Sequence, residues 1–148
     1  MALYDFAKGL ILEAGNKVRL MMQEELDIKT KSNPNDLVTN VDKATENYLY
    51  ETILHNYPDH QVIGEEGHGH NLEYLKGVIW VIDPIDGTNN FVAQQEDFAV
   101  MMAYFENGQG QFGLIYDVVK GDCYHGGGEF PVCRNDQPLV PFKAKPLG

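Results

Sequence analysis

The chain reads as an α+β protein, with two N-terminal helices packed on a mostly antiparallel sheet. Three observations predict this. Apolar residues recur at three- and four-residue spacing through the first third of the chain. Short apolar runs follow from residue 61 onward. Two turn dipeptides, Asn107-Gly108 and Lys120-Gly121, separate the last of these runs as hairpin connections do.

Leu3, Phe6, Leu10, Ala14, Val18 and Met21 line one face of a helix expected over residues 2–26, with Gly15 a small interruption. Residues 27–40 are polar and centre on Ser32-Asn33-Pro34-Asn35, a turn-forming cluster. A second helix is expected over about 41–57, with Ala44, Tyr48, Leu49 and Ile53 on its apolar face and Pro58 as its stop. Asn40 or Asp42 is expected at its N-terminal end, where an acidic side chain is favoured by the helix dipole. Strands are expected at 61–64, 77–82, 98–106, 110–119 and 122–125. The tail from Pro131, with Pro138, Pro141 and Pro146, reads as loop or edge structure.

The composition narrows the function. At 148 residues the chain has the length of one domain, and 43% apolar content is enough for a core. A formal net charge of −11 argues against nucleic acid or an anionic membrane as partner. An acidic protein acting on an anionic substrate needs cations to invert the local field. No leader-like or membrane-spanning stretch is recognisable, and two cysteines define no disulfide framework. A cytoplasmic protein with reduced thiols is expected.

The chemistry concentrates at Trp80-Val-Ile-Asp83-Pro-Ile-Asp86-Gly87-Thr88-Asn-Asn-Phe91. Val78 to Ile82 is an uninterrupted apolar run, the pattern of a strand covered on both faces. Pro84 suits a tight turn and Gly87 can take a positive φ, so Asp83 and Asp86 are expected to converge across that turn beside the Thr88 hydroxyl. Two such charges 4 Å apart repel by about 4 kcal/mol at an effective dielectric of about 20. A hard divalent cation resolves this, and Mg²⁺ prefers one or two carboxylates with positions left for water and phosphate.

Upstream lie Val62-Ile-Gly64-Glu65-Glu66-Gly67 and Lys31-Ser-Asn-Pro-Asn-Asp36-Leu-Val-Thr39-Asn-Val-Asp42. In this order and spacing, the three segments resemble the signature of the inositol monophosphatase family of Mg²⁺-dependent, commonly lithium-sensitive phosphatases. The likeness extends through the hairpins to Gly126-Gly127-Gly128-Glu129-Phe130. It implies a layered α-β-α-β-α sandwich and hydrolysis of a small phosphate monoester, inositol monophosphate first among them. Fructose 1,6-bisphosphate, NADP and 3′-phosphoadenosine nucleotides are the alternatives, and a homodimer is implied.

Carried onto this sequence, the resemblance makes Glu65, Asp83 and the carbonyl of Ile85 ligands of a first metal, and Asp83 with Asp86 ligands of a second. Two or three Mg²⁺ ions, replaceable by Mn²⁺, are implied. Thr88 and Asp42 become the pair that orients and deprotonates the attacking water, with Glu65 assisting. The backbone N–H groups of Gly87 and Thr88 become the phosphate holders, with Asp86 also facing the substrate. Direct attack without a phosphoenzyme fits a reaction that mainly needs positioning and charge neutralisation.

Family members are much longer, and their later half carries a Trp-Asp-x-Ala-Ala-Gly-like segment whose Asp completes the second metal site. This sequence has none; its single Trp is Trp80. Residues 1–148 are therefore expected to be an N-terminal α+β metal-binding portion, with the C-terminal α/β portion absent and one apolar sheet face uncovered. A non-catalytic fragment that binds metal or docks onto a partner is the alternative function.

Plainer readings exist for each residue. Asp83 and Asp86 could cap a solvated turn, Glu65 and Glu66 could be loop acids, Asp42 a helix-start residue and Lys31 a surface charge. His68-Gly-His70 lacks a third ligand at metal spacing, and Gly126-Gly127-Gly128 precedes no helix, so a hairpin end is expected there. Aspartyl-phosphate phosphatases place their two Asp two apart rather than three. An EF-hand loop starting at Asp83 would need glycine where Thr88 stands.

Overall fold

The computed structural model describes residues 2–24, 26–30, 37–65 and 76–139. Lys31, the 32–35 turn, Glu66, His68, His70 and the end of the tail lie outside the described residues. The first helix, α1 (Ala2–Met21), buries Tyr4, Ala7, Leu10, Ile11, Ala14, Gly15 and Val18. It stops at Met21 rather than 26, because Gln23 and Glu24 offer nothing to bury and their amides turn back to Leu20 and Met21. Part of the stretch expected as loop forms a small antiparallel ribbon of β1 (Ile28–Thr30) and β2 (Leu37–Thr39), with Ile28 opposite Thr39.

The second helix, α2 (Asn40–Asn56), ends just before Pro58 as expected. Its inward face differs from the expected one. Val41, Asp42, Thr45, Glu46, Leu49 and Ile53 are buried, whereas Ala44 is exposed and Tyr48 half-buried. The first two turns thus bury polar groups, which hydrophobic periodicity is blind to.

The sheet comprises β3 (Gln61–Gly64), β4 (Val78–Asp86), β5 (Ala99–Glu106), β6 (Gln109–Asp117), β7 (Asp122–Gly127), β8 (Phe130–Arg134) and β9 (Gln137–Pro138), in that spatial order. Among the described residues only β3 and β4 are parallel; every later pair is antiparallel. A short helix, α3 (Thr88–Gln94), interrupts the meander between β4 and β5 and was not expected from the sequence. Asn107 and Gly108, both at positive φ, make the two-residue hairpin between β5 and β6.

Both long helices pack on one face of the sheet. Trp80, Tyr104 and Phe112 lie beneath them, with Tyr104 stacked on Phe112 at 4.9 Å between ring centroids. Each such ring removes about 150–250 Å² from water, a gross gain of roughly 4–6 kcal/mol before entropy is counted. The other face, formed by alternate residues, leaves Val81, Ile115, Tyr124 and Val132 exposed among the described residues. The apolar run of β4 is therefore covered on one face near Val81 rather than on both.

Candidate active site

The parallel pairing of β3 and β4 sets the site. Gly64 lies opposite Ile82, so the next residues, Glu65 and Asp83, emerge side by side at the ends of adjacent strands. From there β4 slips against β5. Asp83 pairs with Met101 and Asp86 with Ala99, so Pro84 and Ile85 on β4 face Val100 alone on β5. This is a bulge rather than the expected tight turn. Pro84 suits it because the ladder needs no N–H there. The bulge keeps Asp83 and Asp86 on one strand end and turns the chain into Gly87, whose φ of 93° only glycine adopts without strain. Thr88 then opens α3, anchored by Phe91, which is fully buried edge-on against Phe98 at 4.8 Å.

From the other side comes the start of α2. Thr39, not Asn40 or Asp42, is the N-cap; its hydroxyl accepts from the Val41 and Asp42 amides. Asp42 completes a capping box, Oδ1 accepting from the Thr39 N–H at 3.1 Å. The pattern Thr39-x-x-Asp42 was a readable signal for this. The helix-start role of Asp42 is thus real, but it does not exhaust the residue. Asp42 is fully buried, and Thr88 Oγ1 lies 3.4 Å from its Oδ1 and 3.0 Å from the carbonyl oxygen of Ile85. One hydroxyl proton therefore has two acceptors within reach.

Acidic groups crowd the same corner. Burial pushes the Asp83 carboxyl up to about 8, helped by its hydrogen bond to Glu65 and by the charges of Glu65, Asp86 and Asp42. Its Oδ1 is buried without a hydrogen-bond partner. Glu65 and Asp86 are exposed, and Ile85 is buried. Among the described residues, no three acidic, imidazole or thiol side chains converge closely enough to cage an ion by themselves. The donor set is nonetheless all oxygen, including a carbonyl, which suits a hard cation. An orphaned carboxylate oxygen held where its own charge is disfavoured is the environment a cation would reverse.

Six of the expected residues are thus gathered at one corner: Asp42, Glu65, Asp83, Ile85, Asp86 and Thr88, with Gly87 as the turn that delivers the last. The Gly126–Gly128 stretch closes the β7–β8 hairpin and takes no part. Sequence reasoning missed α3, the cap Thr39 and the buried carboxylate Glu46.

Residues 2–145 match the family model described as the inositol monophosphatase family. The chain belongs to the inositol monophosphatase family. It is 50% identical over 139 residues to an inositol-1-monophosphatase of Bacillus subtilis (strain 168), covering 94% of this chain and 52% of that protein. The crystal structure of inositol monophosphatase-II from Staphylococcus aureus MSSA476 superposes with a TM-score of 0.85 at 49% identity, over 98% of this chain and 52% of that one. A second structure, an IMPase/NADP phosphatase complexed with Mg²⁺ and phosphate, gives a TM-score of 0.84 at 28% identity, covering 93% of this chain and 52% of that one. The chain thus spans about half the length of the curated relatives it matches.

Proposed function

We propose that residues 1–148 form the α+β metal-binding portion of a phosphatase that hydrolyses a small phosphate monoester with Mg²⁺, inositol monophosphate being the first candidate. The observation that carries this is the Thr88 hydroxyl held between Asp42 and Ile85, beside the Glu65–Asp83 pair. The names of the relatives support the substrate class, and the Mg²⁺–phosphate complex of one of them supports the cation.

In this reading Glu65, Asp83, Asp86 and the Ile85 carbonyl hold two or three Mg²⁺ ions, with Mn²⁺ able to substitute. Bound there, the cations supply positive charge that acidifies water and neutralises the phosphate. The residues do the rest. Asp42 Oδ1 takes the hydrogen bond of the Thr88 hydroxyl when that proton turns from the Ile85 carbonyl, which aims an Oγ1 lone pair at the attacking water; as the water gives a proton to Oγ1, the Thr88 proton passes to the Asp42 carboxylate. Glu65 assists as proton acceptor. The N–H groups of Gly87 and Thr88, at the start of α3 where amides lack helical partners, hold phosphate oxygens, and Asp86 borders the substrate. A homodimer and a cytoplasmic location belong to the same proposal. Cys123 and Cys133 are buried free thiols, and no described helix is long and apolar enough to cross a membrane.

A second reading, a portion that binds metal without catalysis of its own, is favoured by the match to only about half of each relative's length. One experiment separates the two: phosphate release from inositol 1-phosphate by this chain, with and without Mg²⁺, beside Mn²⁺ titration calorimetry. Mg²⁺-dependent release that disappears in Asp83→Asn supports the phosphatase. Binding without release supports the second reading, and no binding removes both. Fructose 1,6-bisphosphate, NADP and 3′-phosphoadenosine nucleotides in parallel reactions choose the ester.

A further inference from the structure

Helix α2 carries a second buried carboxylate that the proposed chemistry leaves unused. Glu46 is 0% exposed, four residues after Asp42 and on the same face of the helix. A carboxylate that packs this deeply is unfavourable unless something specific is gained, since an apolar side chain of similar volume would fill the space without desolvation.

Its position is informative. A Cβ added at Gly64 would collide with the carboxyl carbon and both oxygens of Glu46, so the carboxylate rests against the Gly64 backbone. Gly64 is the last residue of β3. It precedes Glu65 directly and pairs with Ile82, which precedes Asp83 directly. One helix therefore touches both arms of the site. Asp42 reaches Thr88 beyond the end of β4, and Glu46 braces the end of β3 where Glu65 departs.

We propose that Glu46 is a positioning residue that fixes Glu65 relative to Asp83 and Asp42 and thereby sets the affinity of the site for a divalent cation; this rests on the metal-binding reading above. Glycine at position 64 is the other half of the device, since any side chain there would displace the carboxylate. Glu46 touches neither substrate nor cation in this account; it acts through the backbone that presents Glu65.

The test is Mn²⁺ titration calorimetry on the full 148-residue chain, with urea unfolding of each variant. Glu46→Gln keeps the volume but replaces one acceptor oxygen with a donor. It is expected to weaken Mn²⁺ binding roughly 10- to 100-fold while unfolding cooperatively, as loss of groups behind metal ligands does. Glu51→Gln removes the same charge from an exposed position of α2 and is expected to stay within about twofold of the unsubstituted chain. Gly64→Ala is expected to act in the direction of Glu46→Gln. If Glu46→Gln does not fold, Glu46→Asp decides, because it keeps the charge but withdraws the carboxylate from Gly64. Undiminished Mn²⁺ affinity in the folded Glu46 variant overturns the proposal. If Asp83→Asn abolishes binding while Glu46→Gln does not, only this inference fails. If the unsubstituted chain binds no Mn²⁺, the site reading fails and takes this inference with it.

Discussion

Thr88 Oγ1 lies 3.4 Å from Asp42 Oδ1 although 46 residues separate the two in sequence. The contact joins the first turn of α2 to the first residue of α3, and Asp42 serves it while also capping its own helix. The two duties can be separated. Asp42→Ala leaves the Thr39 cap but removes the capping-box acceptor of the buried Thr39 N–H, and should destabilise the chain by about 1–2 kcal/mol. Asp42→Asn keeps an oxygen for the Thr39 N–H and should shift the urea midpoint far less. Its neutral amide cannot take a proton from Thr88, so phosphate release by the active protein should fall about 10²-fold or more. Undiminished release in Asp42→Asn would reduce Asp42 to a cap.

Asp83 is held where its charge is disfavoured, by burial first and then by Glu65, Asp86 and Asp42. Asp83→Asn should therefore leave the metal-free chain at least as stable as before, because it relieves repulsion while keeping shape. It should also abolish stabilisation by Mn²⁺. A ligand at about 100 times its Kd adds roughly 2.7 kcal/mol to the native state. Thermal unfolding with excess Mn²⁺ and with a chelator measures both effects. An Mn²⁺-dependent shift that survives in Asp83→Asn would move the cation elsewhere.

The sheet was legible because its signals are local. The expected strand at 61–64 coincides with β3, and the hairpin at Asn107-Gly108 follows from a dipeptide that adopts positive φ twice. Asp83, Asp86 and Thr88 were legible as a cluster for the same reason. What escaped was set by tertiary contact. Helix α3 has seven residues and one buried side chain, Phe91, too few to show a period. The bulge at Pro84-Ile85 exists only against Val100 on another strand. Glu46 lies about half a turn from Ala44 and Tyr48, on the buried face with Leu49 and Ile53, and polar Asp42 and Thr45 break the apolar stripe that would have marked that face.

Gly15 illustrates the same override in α1. Replacing a mid-helix glycine with alanine gains about 1 kcal/mol of helix propensity. Here the added methyl group would collide with the Tyr116 ring, which packs on the bare backbone. Overpacking costs typically about 1–3 kcal/mol, so Gly15→Ala should be net destabilising by up to about 2 kcal/mol. In Gly15→Ala/Tyr116→Leu the penalty should largely vanish relative to Tyr116→Leu alone, a coupling that urea unfolding of the four chains measures. A gain in stability from Gly15→Ala alone would show that the ring moves aside freely.

His60 accepts the Nε1–H of Trp80 through Nδ1 at 3.0 Å and stacks on Tyr57. Burial lowers its pKa below the ordinary 6.5, outweighing the opposing pull of Asp59 and Glu106. The unfolded chain therefore takes up a proton near pH 6.5 that native His60 refuses. Stability from this group is fully present above that pH and is lost as the pH falls from 6.5 to the native value, below which the loss levels off. His60→Asn retains an acceptor for the indole but cannot titrate, so its urea midpoint should fall less steeply on acidification. Trp80 is the only tryptophan, which gives an independent readout. Native-state emission should titrate with a midpoint below 6.5 as the indole loses its acceptor, and that transition should be missing in His60→Asn. Equal pH slopes for the two chains, with the emission transition unchanged, would mean that another group carries the acid sensitivity.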